Sequence, residues 1–297
     1  MHAMEEGKMK KVAIQGIKGC FHEQAAYLFY ERCGLPKPEV VECAGFEELY
    51  WRMDEGKADA AIMAIENTVS GGLLPNFELL RKYDRKIKGE VFLRIKQNLM
   101  TLPGQKIEDL HEVRSHYMAI NQTREFFKDY PWIRLVESED TAKSAADVAQ
   151  NGLKGVGAVA STLAAELYGL DMLAESIETY KQNFTRFLIL AHKDVADEVL
   201  GELCVEKENI NKSSMMFTLP HTSGSLSKVL AVLSFYDMNL SMIQSMPIVG
   251  QEWRYQFYVN LLFTDYKRYR QAIDAILPLT KDLEILGEYM EGEQSVQ

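Results

Sequence analysis

The sequence predicts an α/β protein whose first two thirds carry mainly parallel sheets and whose last third is a small ferredoxin-like module. Three observations carry that reading. Short apolar runs alternate with helix-period stretches as far as about residue 190. One of these runs, 58–65, is apolar almost throughout and too short for most helices, which fits a strand buried on both faces. Beyond residue 212 the pattern changes to alternating strands around two helices.

Lys11–Gln15 reads as a strand, followed by a glycine turn and a helix over 22–33. A strand at 40–43, an acidic-faced helix at 46–55 and the buried run 58–65 come next. A helix over 73–83 then leads to a pair of strands at 90–95 and 98–102. Further strands fall at 113–115, 133–136 and 155–160, with helices starting near Ala119, Thr141 and Thr162. Asp140 and Ser161 stand where N-caps belong. In the last third, a strand at 213–219 precedes Leu226, Val229, Leu230 and Leu233, spaced i, i+3, i+4 and i+7 on a helix. A strand at 240–248 and the alternating Tyr255, Phe257, Val259, Leu261 and Phe263 follow. A helix at 266–277 and a strand at 283–289 complete β-α-β-β-α-β, the ferredoxin-like order. The polar stretch 193–212 reads as a linker, with Leu200 and 203–205 pointing to some structure inside it.

The 297 residues suffice for two domains or three small lobes. Hydrophobic content of 47% with 26% charged residues fits a soluble globular protein. No apolar run approaches the roughly 20 residues that span a bilayer. Residues 1–8 lack the charged-then-apolar order of a secretory signal, so the protein is expected in the cytoplasm. Cys20, Cys33, Cys43 and Cys204 form no CxxC pair and suit no zinc spacing, and they read as reduced thiols in ordinary packing. A net charge of −10 argues against nucleic-acid binding, which needs a basic face. A small anionic ligand stays compatible, held by a few local donors against the overall field.

Four stretches place small or polar residues at the ends of expected strands, where open α/β sheets bind ligands. In Gly16-Ile17-Lys18-Gly19-Cys20-Phe21, two glycines three apart let backbone N–H groups approach a ligand, or simply form a turn. In Ala64-Ile65-Glu66-Asn67-Thr68-Val69-Ser70-Gly71-Gly72, a buried strand runs into hydrogen-bonding side chains, which serve either a site or a helix cap. Ser115-His116 follows a short strand, and His116 is either a group titrating near neutral pH or a structural histidine. Asn183-Phe184-Thr185-Arg186-Phe187 collects an amide, a hydroxyl and a guanidinium before an apolar strand. If it is extended, Asn183 and Thr185 face one side and Arg186 the other, so all three meet one ligand only through a kink.

Taken together, in this order and at this spacing, these stretches resemble the prephenate dehydratase family. Gly19-Cys20-Phe21-His22-Glu23-Gln24-Ala25-Ala26 is similar to that family's glycine turn and Gln-Ala-Ala helix. Glu66-Asn67-Thr68 with Gly71 is similar to its Glu-Asn-Ser/Thr segment. Ser115-His116 with Ala119 and Gln122 resembles its Ser-His-Pro-Gln stretch, with Tyr117 in place of the proline. Asp140-Thr141-Ala142, Ala158-Val159-Ala160-Ser161 and Tyr168-Gly169-Leu170 look similar too, and Asn183 with Thr185-Arg186-Phe187 resembles its Thr-Arg-Phe signature. The resemblance covers about Val12 to Leu190.

The resemblance implies a bilobal, periplasmic-binding-protein-like catalytic region over 10–192, with a cleft between two α/β lobes, 10–87 with 184–192 and 88–183. It implies a linker at 193–212 and a ferredoxin-like ACT domain over 213–290. The ACT domain's Gly-Ala-Leu motif appears as Gly224-Ser225-Leu226 and its Glu-Ser-Arg-Pro motif as Gln244-Ser245-Met246-Pro247, without either charge. Gly224, Ser225, Leu226, Gln244, Ser245 and Pro247 are the implied regulatory positions, with L-phenylalanine as the allosteric ligand. The implied reaction is decarboxylative dehydration of prephenate to phenylpyruvate, CO2 and water in phenylalanine biosynthesis, with no cofactor and no metal. Thr185 is implied as the donor to the leaving hydroxyl, with His116 as the rival proton source. Arg186 is implied as the partner of a substrate carboxylate, and backbone N–H groups after Gly19, Asn67 and Thr141 as further donors. Phe21 or Phe187 would line the apolar side, and Thr68, Ser115 and Asn183 complete the implied binding set. A homodimer or homotetramer, with no nucleic-acid or membrane partner, is expected. Dehydration of arogenate and a catalytically silent small-molecule sensor are the competing readings.

Overall fold

A computed structural model of the chain describes residues 10–192, 209–248, 250 and 253–294. Most of the expected linker 193–212, including Leu200, 203–205 and Cys204, lies outside the described residues. These fall into two compact units. One holds the chain up to Gly71 and Val91–Phe187; the second holds Gly72–Glu90 and the chain from Leu188 to Glu293.

The chain opens with β1 (Lys11–Gln15), α1 (Phe21–Arg32), β2 (Glu39–Cys43), α2 (Phe46–Asp54), β3 (Ala60–Asn67) and a two-residue β4 (Gly71–Gly72). Helix α3 (Leu74–Lys82) and the start of β5 (Arg85–Arg94) belong to the second unit. Next come β6 (Asn98–Thr101), β7 (Glu112–His116), α4 (Tyr117–Thr123), β8 (Arg134–Ser138) and α5 (Thr141–Gln150). Then follow β9 (Val156–Ala160), α6 (Thr162–Tyr168), β10 (Asp171–Ala174) and β11 (Phe184–His192). The first sheet has the order β2-β1-β3-β11-β5, with β4 on β3, and β1 is parallel to both β2 and β3. The second has the order β10-β6-β9-β7-β8. There β7 is parallel to β8 and β9, while β6 and β10 run antiparallel, so the sheet is mixed where the sequence predicts a mainly parallel one.

The apolar run at 58–65 becomes the central strand β3, whose Ala60, Ala61, Ile62 and Met63 are completely buried. Its small alanines leave room for α1 and α2 to approach, as the buried Ala25, Ala26, Leu49 and Tyr50 show. Asp140 and Ser161 cap α5 and α6, accepting from Lys143 N–H at 2.9 Å and Ala164 N–H at 3.0 Å. Two strands depart from expectation. β10 carries no alternation strong enough to predict it, and β5 starts at Arg85 rather than near residue 90.

The early start of β5 has a physical cause inside the second unit. Arg85, Lys86 and Lys88 fall between the expected elements, but Ile87 among them is buried and Lys86 finds partners. Lys86 Nζ reaches Ile285 O at 2.8 Å and Glu284 Oε1 at 3.2 Å. The rest of this unit is β12 (Lys212–Thr218), α7 (Ser225–Phe235), β13 (Asn239–Pro247), β14 (Tyr255–Leu262), α8 (Tyr266–Ile276) and β15 (Lys281–Tyr289). The antiparallel sheet has the order β13-β14-β12-β15, the ferredoxin-like arrangement expected. Met215, Phe217, Val259 and Leu261 pack beneath Val229 and Leu233 of α7 and Tyr269 and Ile273 of α8. A Cβ at Gly287 would collide with the carbonyl oxygen of Ile87, so only glycine lets β15 come this close to β5. Residues 72–87, expected with the first lobe, and 88–90, expected with the other, are drawn into the second unit by these contacts and by a buried ion pair. Lys212 Nζ stands 2.7 Å from Glu90 Oε1, with the side chains 3% and 0% exposed.

Removing one partner of such a pair strands a buried charge. Lys212→Met should cost about 3–5 kcal/mol in denaturant unfolding. The double variant Lys212→Met/Glu90→Leu should recover most of that loss. Equal losses in the single and double variants would contradict the role given to the pair.

Candidate active site

The carboxyl end of β3 delivers Asn67, 6% exposed, beside the segment that enters β11. The two are laced together by Thr68. Its N–H donates to Phe184 O at 2.9 Å, its Oγ1 accepts from Phe184 N–H at 2.9 Å, and its hydroxyl donates to Gln182 O at 3.0 Å. Thr68 is thereby spent on the backbone, although it was expected on a ligand. Asn67 Oδ1 accepts from Val69 N–H and Ser70 N–H, both at 2.9 Å. Its Nδ2 lies within hydrogen-bond distance of Asn183 Oδ1 (2.8 Å), Thr185 Oγ1 (2.9 Å) and Phe184 O (3.2 Å). Backbone groups at both ends of the amide fix which atom is nitrogen. Thr185 Oγ1 is therefore an acceptor towards Asn67, and its own proton is left to donate in another direction. Asn183 continues the network, its Nδ2 donating to Gln122 Oε1 at 3.0 Å.

Arg186 does not join this group. The segment is extended with no kink, so Arg186 faces away from Thr185, and its Nη1 lies 3.9 Å from Glu66 Oε2. Glu66 alternates with Asn67 on β3 in the same way, which makes Arg186–Glu66 and Thr185–Asn67 the two opposite faces of one strand pairing. Phe187 returns to the Thr185 face but is only 1% exposed, packed edge-on against His22 with ring centroids 4.9 Å apart. It supports the site from behind rather than lining it.

The glycine turn holds a second surprise. Gly16 and Gly19 both have positive φ, +104° and +89°. A Cβ on Gly19 would lie 3.0 Å from Ala164 Cα, and one on Gly16 would lie 3.2 Å from Asp140 Oδ2. These glycines let the starts of α5 and α6 close in on the turn, where the sequence suggested room for a ligand. Gly19 O accepts from Ser161 Oγ at 2.5 Å, and Gly19 N–H donates to Glu23 Oε2 at 2.5 Å. Of the N–H groups expected to hold a ligand after Gly19, Asn67 and Thr141, that of Cys20 goes to Ile17 O, those of Val69 and Ser70 to Asn67 and that of Lys143 to Asp140. Thr141 itself is buried as the first residue of α5, and Phe21 is half-buried at the start of α1.

Ser115 and His116 are the last two residues of β7, not residues beyond it. Ser115 is fully buried and donates to Val159 O on β9 at 2.6 Å, which makes it a tie between strands rather than a ligand contact. His116 is half-buried and caps α4, its Nδ1 accepting from Met118 N–H at 3.4 Å. Burial lowers its pKa, opposed by the charges of Asp140 and Glu137. In the neutral ring, Nδ1 accepting from Met118 N–H leaves the proton on Nε2. Asp140 was read only as a cap, yet it faces both Gly16 and His116. Burial raises its carboxyl pKa, opposed by the N–H groups of Lys143 and Ala142. Its signal was its place between β8 and α5, two residues past the strand and at the start of the helix. Beside this group Val69, Ser70, Tyr117, Met118, Gln122 and Tyr180 line a cavity of about 240 Å³.

The second unit has its own cavity, about 340 Å³, lined by residues including His221, Ser225, Leu226, Trp253, Tyr255 and Phe257. Gly224 takes the left-handed conformation that starts α7, with φ 78°. Ser245 and Pro247 stand opposite Phe257 and Tyr255 in the β13–β14 pairing. Gln244 turns back along its own strand, donating to Ser245 O at 2.9 Å. Among the described residues no helix is long and apolar enough to cross a membrane.

Residues 12–195 match the family model described as prephenate dehydratase. "Arogenate dehydratase 2" of Petunia hybrida is 32% identical over 299 residues, which cover 96% of this chain and 72% of that protein. The structure described as "GqqA- a novel type of quorum quenching acylases" has a TM-score of 0.83 at 26% identity, covering 95% of this chain and 98% of its own. Prephenate dehydratase in complex with L-Phe from Arthrobacter aurescens shares the fold, with a TM-score of 0.81 at 23% identity over 95% of this chain and 90% of that one.

His22, on which Phe187 rests, is a pH-sensitive element of this unit. It is buried, its Nε2 accepts from Ala64 N–H at 3.3 Å, and burial depresses its pKa to about 3. The unfolded chain takes up this proton below about 6.5, whereas the folded chain resists until about 3. Stability should fall as pH drops through that window, by on the order of 4 kcal/mol. Denaturant unfolding at pH 7 and pH 4 should show the loss in the wild type and a smaller one in His22→Gln.

Proposed function

The chain belongs to the prephenate dehydratase family, a family of carbon–oxygen lyases, and on that premise we propose that it converts prephenate to phenylpyruvate, CO2 and water. The bond from the ring to its carboxylate breaks, the electron pair enters the ring, and the C–O bond at the opposite carbon breaks as hydroxide leaves and gains a proton. Aromatisation drives the step, so no strong nucleophile is called for. The difficulty lies in the leaving group, which departs badly unless a donor meets it.

The observation that carries this reading is the polarity imposed on Thr185. Because Asn67 Nδ2 donates to Thr185 Oγ1 at 2.9 Å, the hydroxyl proton is directed elsewhere, as a donor to the departing oxygen must be. An alkanol is too weak an acid to ionise near neutral pH, so Thr185 acts as a hydrogen-bond donor or hands on a proton from water. Neutral His116, carrying its proton on Nε2, is the second candidate donor. Arg186 Nη1 stands 3.9 Å from Glu66 Oε2, so a substrate carboxylate would have to compete with Glu66 for this guanidinium. The ring carboxylate is best held weakly, since strong pairing would stabilise the charge that CO2 loss disperses.

Arogenate is the alternative substrate, supported by the relative bearing that name. An acyl-transfer reading, raised by the acylase of similar fold, would call for an activated nucleophile. Cys20 and Cys43, at the glycine turn and the end of β2, have thiol pKa values raised by burial, so neither is an activated thiolate. The C-terminal module is proposed as a regulatory ACT domain that binds L-phenylalanine. Its aromatic-lined cavity at Ser225 and Leu226 and the L-Phe complex of a protein sharing the fold support that role.

Purified protein should release phenylpyruvate from prephenate without added cofactor, and the ratio of kcat/KM on prephenate and arogenate should identify the substrate. Thr185→Ala should lower kcat about 100- to 1000-fold, the scale of one lost transition-state donor, while Thr185→Ser stays within about tenfold. Full turnover in Thr185→Ala would refute the assignment. Calorimetry should detect L-phenylalanine binding and the assay its inhibition; neither effect would leave the module a structural role.

A further inference from the structure

We propose that Gln97 is a positioning residue that holds Gln122, and through it Asn183, in the amide network beside Thr185, an inference that rests on the dehydratase reading above. The chain starts at Asn67, whose amide cannot turn over. Its oxygen accepts from the backbone N–H groups of Val69 and Ser70, and its nitrogen donates to Phe184 O. That nitrogen also faces Asn183 Oδ1 at 2.8 Å, which turns Asn183 Nδ2 towards Gln122 Oε1 at 3.0 Å. The same oxygen of Gln122 accepts from Gln97 Nε2 at 3.2 Å. Each amide dictates the orientation of the next, and the sequence of donors and acceptors ends at Gln97.

Its end carries a physical signature. Gln97 is 3% exposed, and its Oε1 is buried with no hydrogen-bond partner. Such acceptors are costly and uncommon. Turning this amide over would set two carbonyl oxygens face to face at Gln122, so the unsatisfied oxygen follows from the polarity fixed at Asn67. The backbone of Gln97 works on the same segment. Its N–H donates to Glu178 Oε2 at 2.9 Å, and its carbonyl accepts from Ile177 N–H at 2.7 Å. Gln122 O accepts from Thr179 N–H at 2.9 Å. Gln97 and Gln122 thereby clamp the stretch leading into Asn183 and Thr185, while their side chains hold the Asn183 amide in place.

Two substitutions at this position separate positioning from packing, because both keep the backbone bonds of residue 97. Gln97→Met, similar in length but without the amide, should lower kcat about tenfold, leave KM within twofold and leave the melting temperature unchanged or higher. Gln97→Glu reverses the polarity, since an ionised carboxylate cannot donate to Gln122 Oε1. Its kcat relative to wild type should be lowest at high pH and rise as pH falls, because the protonated carboxyl donates again. Glu178 is the charged group facing this position, and its carboxylate shifts that protonation to higher pH. Wild-type kcat in both variants, a loss confined to KM, or a flat pH ratio would overturn the proposal. A readout independent of turnover is the side-chain amide NMR spectrum of the full chain. In Gln97→Met the resonances of Gln122, Asn183 and Asn67 should all move, and a shift confined to Gln122 would overturn the chain of orientations. Failure of the wild type to convert prephenate would count against the dehydratase reading alone, with the NMR result still deciding the role of Gln97.

Discussion

The amide of Asn67 is the constraint on which the catalytic unit depends. It joins the end of β3 to the entrance of β11, residues 116 and 118 positions away along the chain. One polar group, 6% exposed, satisfies two backbone N–H groups and meets the oxygens of Asn183, Phe184 and Thr185. In a low-dielectric setting such a network is worth more than its separate bonds, and a half-satisfied version would be worse than none. That is why Thr68 is committed to the backbone of the same segment and why Asn183 reaches on to Gln122. The reactive hydroxyl is thus held by a framework whose hydrogen-bond directions are set before any substrate arrives.

Around this framework, electrostatics are arranged by proximity rather than by abundance of charge. The chain carries a formal charge of −10, yet the groups near Thr185 are mostly neutral amides and hydroxyls. Burial lowers the pKa of His116, and Asp140 has its carboxyl pKa raised by burial while helix-start N–H groups oppose the shift. Arg186 is buried on the opposite face of the strand pairing, near the partly exposed Glu66. Neutral dipoles of fixed direction suit a reaction whose charge moves from a carboxylate to a leaving hydroxide, because they stabilise a developing charge without pinning the initial one. The second unit follows another rule, with Lys212 and Glu90 neutralising each other in its interior.

Several features were legible from residues alone. The buried run before Glu66, the caps at Asp140 and Ser161 and the alternation at 255–263 each act through neighbours close in sequence. The strand alternation also predicted that Arg186 would face away from Thr185, and the structure kept that geometry although the family resemblance implied a carboxylate partner there. Illegible were Ser115 turning inward to Val159 and Gly19 yielding to Ala164, because each partner comes from a remote part of the chain. The early start of β5 at Arg85 was out of reach too, since Lys86 finds Glu284 and Ile285 O 198 and 199 positions away.

The sequence by itself determined the succession of elements, the βαββαβ module, and the set of polar residues gathered at strand ends, since local propensity and periodicity act within a few residues. Only the tertiary structure decided which of those polar groups face one another. Hydrogen bonds are directional and act over about 3 Å, so the pairing of Asn67 with Thr185, of Arg186 with Glu66 and of Gln97 with Gln122 exists only once distant strands and helices are brought into register.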